Sequence, residues 1–87
     1  MKLKQEFVLR SIAGENVLIP VTGLDNKFDG LISLNESGVV IWKALESGCD
    51  EDAIVNALLE EYEVTEEKAR QDVQNLLNQL RVLGILG

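Results

Sequence analysis

The sequence predicts an α+β fold in which a three-stranded antiparallel β-sheet precedes three α-helices (βββααα), arranged as a winged helix-turn-helix. Three observations lead there. The first third of the chain mixes polar and apolar residues at a period near two, and the second half places its apolar residues at a period near 3.6. The change is abrupt. In GLISLNESGVVIW, residues 30–42, a short apolar run gives way within three residues to an apolar helix carrying the single Trp.

Residues 6–12 (EFVLRSI) form the first expected strand, with Phe7, Leu9 and Ser11 on one side and Val8, Arg10 and Ile12 on the other. Residues 13–16 (AGEN) read as a turn, and residues 17–21 (VLIPV) as a β-branched second strand. Pro20 has no N–H for a ladder and belongs at a strand end or on an unpaired side. Residues 22–29 form a loop, and the third strand spans roughly residues 28–34. Asn35 then caps a helix through Val39, Val40, Ile41, Trp42 and Leu45, which Gly48 stops. Cys49 reads as a residue capping the next helix. That helix covers roughly residues 51–62, with Ile54, Ala57, Leu58 and Tyr62 on its apolar stripe. Thr65 caps the third and longest helix, and Glu66 and Glu67 suit its positive first turn. Its apolar residues Ala69, Val73, Leu76, Leu77, Leu80 and Leu83 are spaced at four, three, one, three and three. Gly84 ends it, with Ile85 and Leu86 folding back as a hydrophobic contact. Trp42, among Val39, Val40, Ile41 and Leu45, reads as core and as a candidate groove floor.

Eighty-seven residues fit one domain over residues 1–87. The longest apolar run is four residues, which predicts neither a membrane span nor a signal peptide. One Cys cannot form an internal disulfide, so the chain reads as cytoplasmic. Eight Lys and Arg against fifteen Asp and Glu give a net charge of −7. Nucleic acid and anionic membranes require a basic face, so this balance disfavours both. Lys68 and Arg70 lie close together on an expected helix, and the other cations are scattered.

Catalysis has few candidates. The chain has no His, the commonest general base near neutral pH. Cys49 sits beside Asp50, Glu51 and Asp52, which raise a thiol's pKa. Those acids lack the alternating spacing and central Gly of a calcium loop, Gly30, Gly38 and Gly48 are isolated, and the ligands for structural zinc are too few. No catalytic residue, cofactor or metal is expected.

Several stretches together resemble the PqqD-like proteins, also called RiPP recognition elements. GLISLNESGVVIWKAL resembles the family's strand, Leu-Asn turn and Trp-containing first helix. FVLRSIAGENVLIPV resembles its paired N-terminal strands, and IVNALLEEYEVTEEKARQDVQNLLNQL its second and third helices. The resemblance implies a peptide chaperone that binds the leader of a ribosomally made precursor and presents it to a modifying enzyme, often a radical SAM enzyme, in natural-product or PQQ-like cofactor biosynthesis. It implies that the leader adds as a strand beside the third strand, in a cleft closed by the third helix. The candidate site is then the strand Phe28, Asp29, Gly30, Leu31, Ile32, Ser33 and Leu34, together with Arg70, Val73, Gln74 and Leu77. Residues 30–34 carry no charge and no Pro, as an edge open to strand addition would. Val73 and Leu77 also fit plain core positions, and the edge could instead pair with a second copy, leaving monomer and homodimer both open. A winged-helix DNA-binding regulator is the alternative on fold alone.

Overall fold

The computed structural model describes residues 3, 6–21 and 31–86. Strands β1 (Phe7–Ile12) and β2 (Glu15–Pro20) form an antiparallel hairpin, and β3 (Ile32–Leu34) pairs antiparallel with β2, so β2 is central. Helices α1 (Glu36–Glu46), α2 (Glu51–Glu61) and α3 (Glu66–Val82) follow. The predicted α+β order is the observed one. Of the expected third strand, Ile32–Leu34 is strand, and residues 28–30 lie outside the described residues.

The hairpin is tighter than the four-residue turn the sequence suggests. Ile12 pairs with Glu15, so the loop is Ala13-Gly14. Both residues have positive φ, 52° and 81°, as a type I′ turn demands. Gly14 adopts this at no steric cost, whereas Ala13 is strained by its Cβ. Pro20 is the last residue of β2. Across the sheet, Leu9 pairs with Leu18 and Leu18 with Ile32, a row that faces the helices.

Each helix begins on a side chain accepting from its first turn. Asn35 Oδ1 accepts from Gly38 N at 2.8 Å, Asp50 Oδ1 from Ala53 N at 2.9 Å, and Thr65 Oγ1 from Lys68 N at 3.1 Å. Acidic residues in all three first turns complement the helix dipole. Asp50, not Cys49, therefore caps α2. Cys49 finishes α1 instead. Its N–H reaches Ala44 O at 3.1 Å while that of Gly48 reaches Leu45 O at 3.0 Å, the paired bonds of a Schellman ending. Ile85 and Gly84 end α3 in the same way, on Leu80 O at 2.9 Å and Arg81 O at 3.0 Å. Ile85 and Leu86 are buried, and Leu86 forms a bridge with Leu3. This turn-back replaces Leu83, which caps α3 and is exposed.

Trp42 joins the two layers. It is buried and meets Phe7 of β1 edge-on, with ring centroids 5.7 Å apart and planes at 86°. On α2 the fully buried residues are Ile54, Val55 and Leu58. Ala57 and Tyr62, expected on that stripe, are half-buried. The stripe shifts toward Val55 because α2 packs against both α1 and α3. On α3, Ala69, Val73, Leu77 and Leu80 are buried and Leu76 is half-buried.

The junction between β3 and α1 is close-packed. A Cβ on Gly38 would stand 3.1 Å from Asn35 Oδ1 and 3.2 and 3.3 Å from Leu34 Cβ and Cδ2. A side chain at position 38 would require Leu34 or Asn35 to give by a few tenths of an ångström, so Gly suits the close seat of the first turn of α1 on the end of β3.

Two stability effects follow, each measured by denaturant unfolding with Trp42 fluorescence. Ala13→Gly should raise stability by about 0.5–1 kcal/mol by relieving the positive-φ strain. Asn35→Ala should lower it by about 1 kcal/mol through loss of the cap.

Candidate functional site

β3 has β2 on one side and, among the described residues, no strand on the other. Its side chains alternate, with Ile32 and Leu34 buried in the core and Leu31 and Ser33 exposed. Leu31 is 63% exposed, a large apolar side chain facing solvent at the strand's entry.

A hollow of about 270 Å³ lies between this end of β3 and α3. Ser33, Leu34, Asn35, Ser37, Gly38 and Ile41 line it from the strand and α1, and Asp72, Asn75, Leu76 and Gln79 line it from α3. Those α3 residues fall at i, i+3, i+4 and i+7 and so form one stripe. Leu34, Ile41 and Leu76 supply apolar surface, and the remaining lining is mostly polar. A second hollow, of about 360 Å³, adjoins the first. It is bounded by Asn35, Glu36 and Ser37 at the start of α1, by Leu58, Tyr62 and Val64 around the α2–α3 turn, and by Ala69 and Asp72 on α3. The two hollows share Asn35, Ser37 and Asp72.

The candidate residues from the sequence divide three ways. Leu31, Ile32, Ser33 and Leu34 form the free edge or its entry, and Phe28, Asp29 and Gly30 lie outside the described residues. Val73 and Leu77 have no exposed surface and belong to the core. Arg70 and Gln74 lie on the flank of the buried stripe opposite to the hollows. There the Arg70 guanidinium is engaged by Glu51 at 3.0 Å, Asp52 at 3.1 Å and Glu66 at 3.6 Å, tying α3 to the start of α2. The hydrogen bond to Asp52 is the main cause of a guanidinium pKa above its ordinary value. Lys68 pairs with Asp72 at 2.9 Å across one helical turn.

Sequence reasoning missed Asp72, Asn75, Leu76 and Gln79, and the start of α1. The available signal was their spacing, a second stripe beside the buried one with a single apolar member. Trp42 lines neither hollow. Among the described residues, no group of three His, Cys, Asp or Glu is placed to hold a metal ion, and no helix is long and apolar enough to cross a membrane.

The fold has a counterpart among solved structures. The chain is similar to TbiB1, solved in complex with the TbiA(beta) leader peptide, with a TM-score of 0.77 and 28% identity over 99% of this chain and 94% of that one. No curated protein sequence matches it. The family described as Coenzyme PQQ synthesis protein D (PqqD) matches residues 15–86, which take in β2, the free strand and all three helices. The chain belongs to the PqqD family.

Proposed function

We propose that this protein binds the leader segment of a ribosomally made precursor peptide as a strand added to β3, and presents that precursor to a modifying enzyme, of radical SAM or other type, with no catalysis of its own. The carrying observation is an uncharged strand edge with a hollow beside it, built by the end of β3, the start of α1 and one stripe of α3. The similarity to TbiB1, which was solved with a leader peptide bound, supports a leader peptide as the ligand.

Magnitudes indicate how such binding divides. An added strand opposite residues 31–34 makes roughly two to four hydrogen bonds, each contributing about 1 kcal/mol net. Micromolar affinity needs about −8 kcal/mol net, after the cost of ordering the peptide has been met. Most of the affinity must then come from side chains seated in the hollows, where burying one large apolar group gives about 1.5–3 kcal/mol. The strand edge sets register, and the side chains set identity.

Enzymatic roles find little chemistry to work with. The chain lacks His, and Cys49 is half-buried with its backbone engaged in the ending of α1. DNA binding by α3 is equally poorly served. Glu66 and Glu67 open the helix, and Lys68 and Arg70 are both held in ion pairs with neighbouring acids.

The test uses synthetic peptides tiled over the short reading frames flanking the gene, added to ¹⁵N-labelled protein. A client peptide should shift the amides of residues 31–34 together with Asp72, Asn75, Leu76 and Gln79. Asn75→Trp, filling the hollow from an exposed position, should weaken that peptide at least tenfold. Gln74→Trp, on the opposite flank, should leave affinity within about twofold, since it stands outside the cleft. Equal losses in both variants would count against the cleft. Shifts produced by duplex DNA and centred on α3 would replace the proposal with a regulator.

A further inference from the structure

The sheet has a second face that the helices do not use. The row Leu9, Leu18 and Ile32 faces them. Alternation along each strand therefore turns Val8, Arg10 and Ile12 of β1, Val17 and Ile19 of β2, and Ser33 of β3 the other way. Glu6 O accepts from Val21 N at 3.0 Å, so the pairing continues and Val21 joins this outer face. Leu31 joins it two residues before Ser33. The face is mostly apolar. Val8 and Ile19 are half-buried, and Ile12 and Leu31 are 51% and 63% exposed. Val17 is buried yet lies outside the core cluster, with Arg10 and Ser33 opposite it in register. An antiparallel sheet with one solvated face carries polar residues there, and a contiguous apolar patch marks a surface that another molecule covers. Arg10 is the one cation on this face. Among the described residues its guanidinium reaches the Leu9 carbonyl of its own strand at 3.4 Å and forms no ion pair, whereas acids hold Lys68 and Arg70. The surface fits an apolar patch that carries a carboxylate.

Size and charge decide the occupant. Strands about 4.8 Å apart, advancing about 3.3 Å per residue, give this three-stranded face roughly 200–300 Å². A stable complex needs about 800 Å² from each partner. A second copy of the chain has no other point of attachment, and a charge of −7 on each copy adds repulsion. The modifying enzyme differs, because it must hold the precursor that this protein presents. When both proteins hold one peptide, a weak contact between them becomes intramolecular and therefore effective. A strand added to β3 also widens the face, since its alternate side chains stand beside Leu31 and Ser33. We propose that the outer face of the sheet, widened by the bound leader, is the surface on which the modifying enzyme docks. The inference rests on the strand-addition reading and assigns it an enzyme-facing side. Helices and sheet then divide the work, with the cleft on the helical side selecting the leader and the outer face engaging the enzyme.

The test uses the modifying enzyme encoded beside this gene, immobilised for interferometry, and the full-length precursor that contains the client leader. Wild type should bind the enzyme at least tenfold more tightly with the precursor present than without it. Ile12→Glu places a charge on the face at an exposed position. It should weaken that binding at least tenfold while leader affinity stays within about twofold. Arg10→Glu should act in the same direction, and Arg10→Lys should retain most of the binding. Val82→Glu sets the same charge at the end of α3, on a residue 87% exposed, and should leave both affinities unchanged. Leader-induced shifts of residues 31–34 in each variant show that it is folded. Equal losses in Ile12→Glu and Val82→Glu would reduce the effect to net charge and overturn the docking face. Undiminished enzyme binding by Ile12→Glu, with the leader still bound, would overturn it too and leave strand addition standing. A dimer in sedimentation that Ile12→Glu abolishes, with enzyme binding intact, would give the face to a second copy instead. If the leader shifts no amide of residues 31–34 in wild type, strand addition falls and this inference falls with it.

Discussion

The contact between Gly38 and Leu34 is the constraint on which the rest of the molecule depends. β3 is three residues long and cannot hold its position by its ladder to β2 alone. Its far end is fixed by the first turn of α1, which approaches until a single added Cβ would stand 3.2 Å from Leu34. Asn35 closes the same turn by accepting from Gly38 N, so one residue follows the strand, caps the helix and lines both hollows. Through this junction the position of the free edge is tied to Trp42, and through Trp42 to Phe7 on the opposite edge strand. A peptide adding to β3 would meet a surface already held against the helical layer, which limits the ordering that binding requires.

The third helix shows how one element serves three surfaces. Its buried stripe, Ala69, Val73, Leu77 and Leu80, supplies the core. One flank, Asp72, Asn75, Leu76 and Gln79, walls the hollow beside β3. The other flank carries Arg70, whose three acidic partners brace the helix against α2. These ion pairs are exposed or only half-buried and weak taken singly, but sharing one guanidinium lowers the entropy spent per contact. The arrangement also explains why a chain of net charge −7 has no basic face on this helix, since both of its N-terminal cations are already engaged.

Most of the architecture was legible in the sequence because periodicity and end signals are local. Asn35, Thr65, Gly48 and Gly84 each act within a few residues, and each marks a helix end as expected. The errors arise where two local readings compete. Cys49 and Asp50 are adjacent, and which of them caps α2 depends on how α1 finishes. The candidate site was legible only in part, for a different reason. Spacing identifies the buried stripe of α3 but not which of its two flanks turns toward β3, because that depends on how the helix crosses the sheet. Arg70 and Gln74 and the residues Asp72, Asn75 and Gln79 are equally polar and equally regular in sequence. Only packing separates them.

A bare strand edge is a hazard as well as a site, because it pairs with any extended chain, including another copy of itself. Here the edge carries neither Lys nor Pro over residues 31–34, and shortness is the remaining safeguard. Three residues of strand offer too few backbone hydrogen bonds to hold a casual partner against the entropy of association. That weakness bears directly on recognition. If the edge alone cannot bind tightly, discrimination passes to side chains that must also fit beside it, and backbone pairing contributes only once those side chains are seated. A short edge next to shaped hollows therefore rejects most peptides through insufficient affinity and accepts one through summed contacts. A longer edge would bind more strongly and select less well.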